Sequence, residues 1–218
     1  MSKTKVLNLY AGIGGNRKLW TDVDVTAVEI KQDVAAEYQR QHPDDEVIIS
    51  DAHEFLKNHY GDGYDFVWSS PPCPTHSKLS FASWHSDTGS NANRNPEYPD
   101  MKLYQEIIFL QNFFDGDWVV ENVSPYYQEL VKSQSVGRHQ FWSNYHIPNF
   151  DEPERDFDFT QCKQHQIEDW LGIEMNERIY FGKGHDPTQV LRNCVHPRLG
   201  KHVFESRTTQ DTLPAVEL

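Results

Sequence analysis

Residues 5–20 read KVLNLYAGIGGNRKLW, an apolar run that stops at three closely spaced glycines. The run has the length and composition of a buried strand. Gly12, Gly14 and Gly15 then let the backbone turn tightly and approach a ligand at a helix N-terminus. The dinucleotide fingerprint would place its last glycine at position 17, where this chain has Arg17, so a nicotinamide site is disfavoured. Outward from this stretch, apolar runs and amphipathic patterns alternate. Further strands are expected at VTAVEI (25–30), EVIIS (46–50), YDFVWSS (64–70) and WVVENV (118–123). Helices are expected at QDVAAEYQRQ (32–41), AHEFLKNHY (52–60) and MKLYQEIIFLQNFF (101–114), the last with Asp100 as N-cap. That order predicts an α/β, Rossmann-like parallel sheet. In such sheets ligands bind beyond the carboxyl ends of the strands. Those ends carry AGIGG, Glu29, Asp51, PPC and ENV.

At 218 residues the chain has the size of one domain. Its first residues lack the apolar region of a secretion signal, and no apolar run approaches the ~18 residues needed to span a bilayer. The expectation is a soluble, intracellular protein with no membrane contact. Three unevenly spaced cysteines, Cys73, Cys162 and Cys194, are poor material for a disulfide framework and are read as reduced thiols. A net charge of −13 argues against a surface that is basic throughout. The charge is uneven: 151–158 is an acidic block, whereas 178–207 holds six Lys/Arg against two Asp/Glu. A local basic face and plain solvated surface are both compatible with these runs.

The stretch VWSSPPCPTHSKLS (67–80) sets Cys73 directly after two prolines where a strand ends, a position suited to a reactive thiol rather than a core one. Residues 78–100, rich in Ser, Asn, Gly and Pro, read as a long mobile loop and, beside Cys73, as a lid, with Arg94 and Trp84 offering a phosphate donor and an apolar wedge. RHQFWSNYHI (138–147) and RIYFGK (178–183) look like additional strands.

Together the glycine turn, SSPPCPTHS and VVENV resemble the cytosine-5 DNA methyltransferase family in order and spacing. The resemblance implies an S-adenosylmethionine-dependent methyltransferase sheet. Tyr10, Gly12, Gly14 and Gly15 match the cofactor turn, with Tyr10 in place of the usual phenylalanine and Asn8 where an aspartate is common. By the same resemblance Glu29 holds the ribose hydroxyls, Ile30 packs on adenine and Asp51 meets the adenine amine. Pro72, Cys73 and Ser77 match the nucleophile motif, with Pro74 replacing its usual glutamine; Glu121, Asn122 and Val123 match the cytosine-holding motif. VGRHQFWSN is similar to the strand that braces the base and phosphate, but it departs from the two-arginine pattern, and only Arg138 carries over. LRNCVHPRLGKHVF resembles the final motif through Asn193, Val195 and Pro197, which there return to the cofactor pocket. Compact forms with these endings look phage-like and fit a role in restriction-modification.

The implied organisation is a cofactor-binding and catalytic core at 1–144, a reduced target-recognition region at 145–187 and a returning segment at 188–218. The implied reaction is transfer of a methyl group from S-adenosylmethionine to carbon 5 of a flipped-out cytosine in double-stranded DNA, through a Cys73 adduct, with Glu121 acting at the ring nitrogen and Asn122 orienting it. Location in the cytoplasm of a bacterium or phage-infected cell follows. Three substitutions, Asn8, Tyr10 and Pro74, keep RNA cytosine or a modified donor open, and the acidic charge keeps open a homodimer, a protein partner or a non-catalytic binding role. Cys162, His165, His185, Cys194, His196 and His202 lack paired Cys-x-x-Cys spacing, so no metal is expected. The tryptophans, Trp68 and Trp142 among them, are read as core.

Overall fold

A computed structural model describes residues 2–84, 97–159, 161–180 and 186–210, with the side chains of 83, 84, 209 and 210 excepted. Seven strands form one sheet in the order β3-β2-β1-β4-β5-β7-β6. β1 (Thr4–Leu9), β2 (Val23–Glu29), β3 (Glu46–Ile49), β4 (Phe66–Ser69) and β5 (Asp117–Val123) run parallel. β7 (His139–Ser143) lies antiparallel between β5 and β6 (Gln134–Val136). The α/β class expected from the alternation is the one observed.

The central strands read as near-continuous apolar runs because both faces of the sheet are covered. Alternate side chains go to opposite layers. Val6, Phe66, Trp68, Val119 and Phe141 face one layer with Trp20, Leu199, Val203 and Phe204. Leu7, Leu9, Val67, Val120 and Trp142 face the other, against α2 (Ala52–His59) and α4 (Lys102–Phe113) through Phe55, Leu56, Leu103, Ile107 and Leu110. α1 (Gln32–Gln41) buries Val34, Ala35 and Tyr38. A third apolar cluster joins Ile13 and Val34 to Ile167 and Leu171 of α5 (Gln164–Leu171), to Ile173 and Ile179, and to Val190, Leu191 and Cys194 around α6 (Gln189–Arg192). Within 145–187, Tyr145 and Ile147 share a core with the sheet, whereas Ile167, Leu171, Ile173 and Ile179 pack with Ile13 of the glycine turn and Val34 of α1.

α7 (Pro197–Ser206) starts with Pro197 in its first turn and with the His196 side chain accepting from Arg198 N. It is fastened to the other end of the chain. Trp20 Nε1 donates to the Gly200 carbonyl at 3.0 Å and its ring stacks on Phe204 at 5.0 Å.

Three local expectations are corrected. Residues 78–84 form a helix, α3 (Lys78–Trp84), rather than loop. Ser77 Oγ accepts from Leu79 N and Ser80 N, and Phe81 stacks on Tyr126 at 4.4 Å, so the first turn is both capped and packed. Residues 85–96, including Arg94, and the Trp84 side chain lie outside the described residues, and the lid reading with them. Asp100 sits one position before the N-cap of α4, which is Met101, although its carboxylate still accepts from Lys102 N at 3.0 Å. Residues 178–180 are not a strand, since no neighbouring edge pairs with them; 181–183 lie outside the described residues.

Candidate active site

Because β1 to β5 are parallel and adjacent, their carboxyl ends open along one edge of the sheet. The chain leaves β1 in a left-handed conformation, with φ of 54° at Tyr10, 56° at Gly12 and 80° at Gly14. For tyrosine that conformation is strained. Gly12 N donates to Glu29 Oε2 at 3.1 Å and Lys31 N to Glu29 Oε1 at 2.9 Å, so the carboxylate ending β2 is held between two backbone amides. A Cβ at Gly12 would meet nothing within 4 Å: the turn faces open space there. At Gly15 a Cβ would stand 2.8 Å from both the Val195 carbonyl and Cys194 Cβ. The C-terminal LRNCV stretch therefore packs directly behind the glycine turn.

A cavity of about 150 Å³ is lined by Tyr10, Glu29, Ile30, Asp51, Ala52, Pro72, Asp100 and Lys102. Five of the residues expected at the cofactor are thus brought together. Asp51 caps α2 by accepting from Glu54 N at 3.1 Å; this bond, with Lys102 3.6 Å away, holds its carboxyl below the usual aspartate range. Asp51→Ala is expected to cost about 1 kcal/mol of stability, typical of a lost N-cap. A depressed carboxyl contributes fully at neutral pH and loses its contribution as pH falls through its own titration. The difference in melting temperature between Asp51→Ala and the parent should accordingly shrink in acid, which calorimetry at several pH values checks.

Ala52, Asp100 and Lys102 were not expected in this cavity, and neither was the group beneath it. Glu106, 1% exposed, accepts from the Tyr10 hydroxyl and the Ser69 hydroxyl at 2.6 Å each and meets His53 Nδ1 at 2.9 Å. Burial, then the charge of Glu106, raises the Tyr10 phenol well above its ordinary value. His53 is raised by the same hydrogen bond. A sequence signal existed: Leu103, Glu106, Ile107 and Leu110 share one helical stripe, and a carboxylate on a buried stripe needs partners.

The second half of the site joins β4 to β5. Asn122 Nδ2 donates to the Pro71 carbonyl at 3.0 Å and its Oδ1 accepts from Val123 N, so the ENV strand end is fastened to the PPC turn. Glu121, buried, is bonded by His139 Nδ1 at 2.7 Å rather than by Asn122. Cys73 is partly exposed. Burial, then the charge of Glu121, pushes its thiol up to about 11, with Arg138 acting in the opposite direction. Thiol, carboxylate and guanidinium are therefore electrostatic neighbours. The turn after Cys73 is braced by Tyr126 N donating to the His76 carbonyl and by His76 Nδ1 against the Tyr127 hydroxyl at 2.6 Å, with Ser77 bridged to Pro125.

Arg138 stands in the β6–β7 turn, its guanidinium 4.8 Å from the Phe159 ring, which Arg155 also covers at 4.5 Å. Asn193 is exposed and bonded by Gln189, while Val195 is buried in the sheet core rather than in the cavity. In the basic run, Arg192 pairs with Asp186, Lys201 with Glu205, and Arg207 stacks on Phe204, so these three cations are engaged within the fold. Among the described residues no cluster of His, Cys, Asp and Glu is placed to hold a metal ion, and no helix is long and apolar enough to cross a membrane.

This sheet order, with a glycine turn and an acidic strand end around one cavity, is that of the S-adenosylmethionine-dependent methyltransferases. The Entamoeba histolytica methyltransferase EhMeth shares the fold at a TM-score of 0.55 and 12% identity, over 94% of this chain and 98% of that one. The model of the C-5 cytosine-specific DNA methylases matches residues 4–124, and the chain belongs to that family, whose methyl donor is S-adenosylmethionine. Two further solved structures align less fully: Spodoptera frugiperda DNMT2 (22% identity, TM-score 0.37, 56% of this chain and 36% of that one) and a candidate DNA modification methyltransferase from an Escherichia coli prophage (21%, 0.37, 58% and 34%). This chain spans about a third of the length of each of these two. No curated protein matches it in sequence.

Proposed function

We propose that this protein methylates carbon 5 of a cytosine flipped out of double-stranded DNA, through a covalent adduct with Cys73. The observation that carries the reading is the joining of the Cys73 turn to Glu121–Val123 by the Asn122–Pro71 hydrogen bond, beside a cavity that Tyr10, Glu29, Ile30, Asp51 and Pro72 line. At about 150 Å³ that cavity is smaller than the ~300–1,000 Å³ of whole ligand sites, and its lining, Glu29, Ile30 and Asp51, suits part of the nucleoside end of the donor, the remainder lying over the open face of Gly12. Glu29, with one backbone donor on each oxygen, keeps lone pairs for ribose hydroxyls. Bound S-adenosylmethionine supplies an electrophilic methyl group.

Carbon 5 of cytosine is a weak nucleophile, so sulfur must first add to carbon 6. Cys73 is the nucleophile, and Glu121 supplies the proton that ring nitrogen 3 takes as charge moves onto the ring. Val123 and Ser77 border the base, Arg138 and Arg155 meet phosphate, and 145–187 contributes to target choice. Carbon 5 of the adduct then takes the methyl group, and loss of its proton to solvent releases the cysteine from carbon 6.

Transfer of labelled methyl from S-adenosylmethionine to mixed-sequence duplex DNA at low salt, with nucleoside analysis of the product, tests the reading. Label in 5-methylcytosine of the duplex is the expected result. Label found only in parallel RNA reactions moves the substrate to RNA, and no label in either, from protein that binds S-adenosylhomocysteine, removes the catalytic reading.

A further inference from the structure

The strand that should brace Glu121 departs from the two-arginine pattern, and what stands against the carboxylate is a histidine. His139 Nδ1 lies 2.7 Å from Glu121 Oε1, and both side chains are close to nine-tenths buried. β5 and β7 are antiparallel with Val123 opposite His139 and Glu121 opposite Phe141, so the pair is a diagonal contact across two ladder-bonded strands and its geometry is set by the sheet. The other charged or titratable groups within electrostatic reach are the Cys73 thiol from the turn after β4 and the Arg138 guanidinium from the β6–β7 turn, with Glu152 and Arg155 beyond Arg138.

We propose that His139 is the positioning residue for Glu121: by donating Nδ1–H to Oε1 it fixes the carboxyl and turns Oε2, the oxygen that carries the proton ring nitrogen 3 takes, toward the base. This rests on the reading given under Proposed function. The Cys73 S–H proton is first released to solvent; as the thiolate sulfur bonds to carbon 6, the carbon 5–carbon 6 double bond moves to carbons 4 and 5, and the electron pair of the carbon 4–nitrogen 3 π bond moves onto nitrogen 3. The Oε2–H bond breaks and the nitrogen 3–H bond forms, leaving a carboxylate that His139 Nδ1–H still supports. On elimination of the cysteine the proton returns from nitrogen 3 to Oε2.

Two measurements test this. In the first, single-turnover methylation of mixed-sequence duplex DNA is followed for the parent, His139→Asn, whose amide nitrogen replaces the Nδ1 donor, and His139→Leu. His139→Leu is expected to lose about a hundredfold in rate with S-adenosylhomocysteine affinity unchanged, and His139→Asn to recover most of that loss. His139→Leu at the parent rate, or His139→Asn no faster than His139→Leu, overturns the proposal and leaves the histidine a structural partner. In the second, a readout independent of turnover, the His139 Nδ1 proton is observed by NMR in the unliganded parent and in Glu121→Gln. A downfield Nδ1 proton that moves upfield in Glu121→Gln is expected, because the acceptor is then a neutral amide oxygen. An unmoved proton overturns the pairing even if the protein methylates DNA. If the parent methylates nothing while the proton moves, the functional reading fails and the pairing stands.

Discussion

Cys73→Ala is expected to abolish methyl transfer, by a thousandfold or more on the order-of-magnitude scale of a lost covalent nucleophile, while leaving the fold and cofactor binding in place. The separation follows from position. Cys73 is partly exposed at the end of a turn whose shape is held by other groups: Asn122 on Pro71, and the backbone bonds of His76 and Ser77 to the Cys73 carbonyl. Removing one sulfur there leaves no large cavity, so stability should change by no more than about 1 kcal/mol. The environment of the free thiol adds a second expectation. With burial and Glu121 pushing it up to about 11, alkylation by iodoacetamide should be slow at neutral pH and rise about tenfold per pH unit toward that value. Undiminished transfer by Cys73→Ala would remove the adduct from the mechanism.

Gly200→Ala should be strongly destabilising. A Cβ at Gly200 would stand 2.3 Å from the Asn16 carbonyl oxygen and 2.7 Å from Asn16 Cα, backbone atoms on the far side of the glycine turn. Neither partner can step aside cheaply. Asn16 is buried and donates to Asn8 at 2.9 Å, and the Gly200 carbonyl receives the Trp20 indole. Moving α7 outward would break that bond and open the Trp20–Phe204 stack. A loss of about 3 kcal/mol, the upper part of the overpacking range, is expected. For a domain of this length that is a fall of roughly 6–12 °C in melting temperature, read by calorimetry. An unchanged melting temperature would mean that α7 does not seat on the turn as described.

The five parallel strands and three of the helices could be read in advance because each element is locally consistent: apolar, β-branched runs buried on both faces, and helices with a clean apolar stripe. The chemistry at the strand ends was visible for the same reason, since Glu29, Asp51, Cys73 and Glu121 interrupt those runs abruptly. What escaped depends on contacts between distant residues. His139 sits in an apolar strand and reads as a core histidine; only the β5–β7 register puts it on Glu121. Glu106 is 96 residues from Tyr10, and nothing near either announces the other. α3 escaped because the Ser77 cap is matched by packing from a distant loop, Tyr126 on Phe81, which its own Ser-rich composition does not announce. For the run that holds Arg192, Lys201 and Arg207 composition left a basic face and plain surface open; two of these cations are paired with neighbouring carboxylates and the third lies over aromatic rings.

The bond from Trp20 to Gly200 spans 180 residues of chain. At ~5–20 residues per second of synthesis, the glycine turn waits roughly ten to forty seconds for the helix that closes its back. Throughout that interval Trp20 and Phe66 lack their Phe204 cover, and the turn lacks the packing of Cys194 and Val195 behind Gly15. The glycine turn is thus made long before the helix that completes it, so a nascent chain cannot hold the turn in its finished packing before residues 197–206 have emerged.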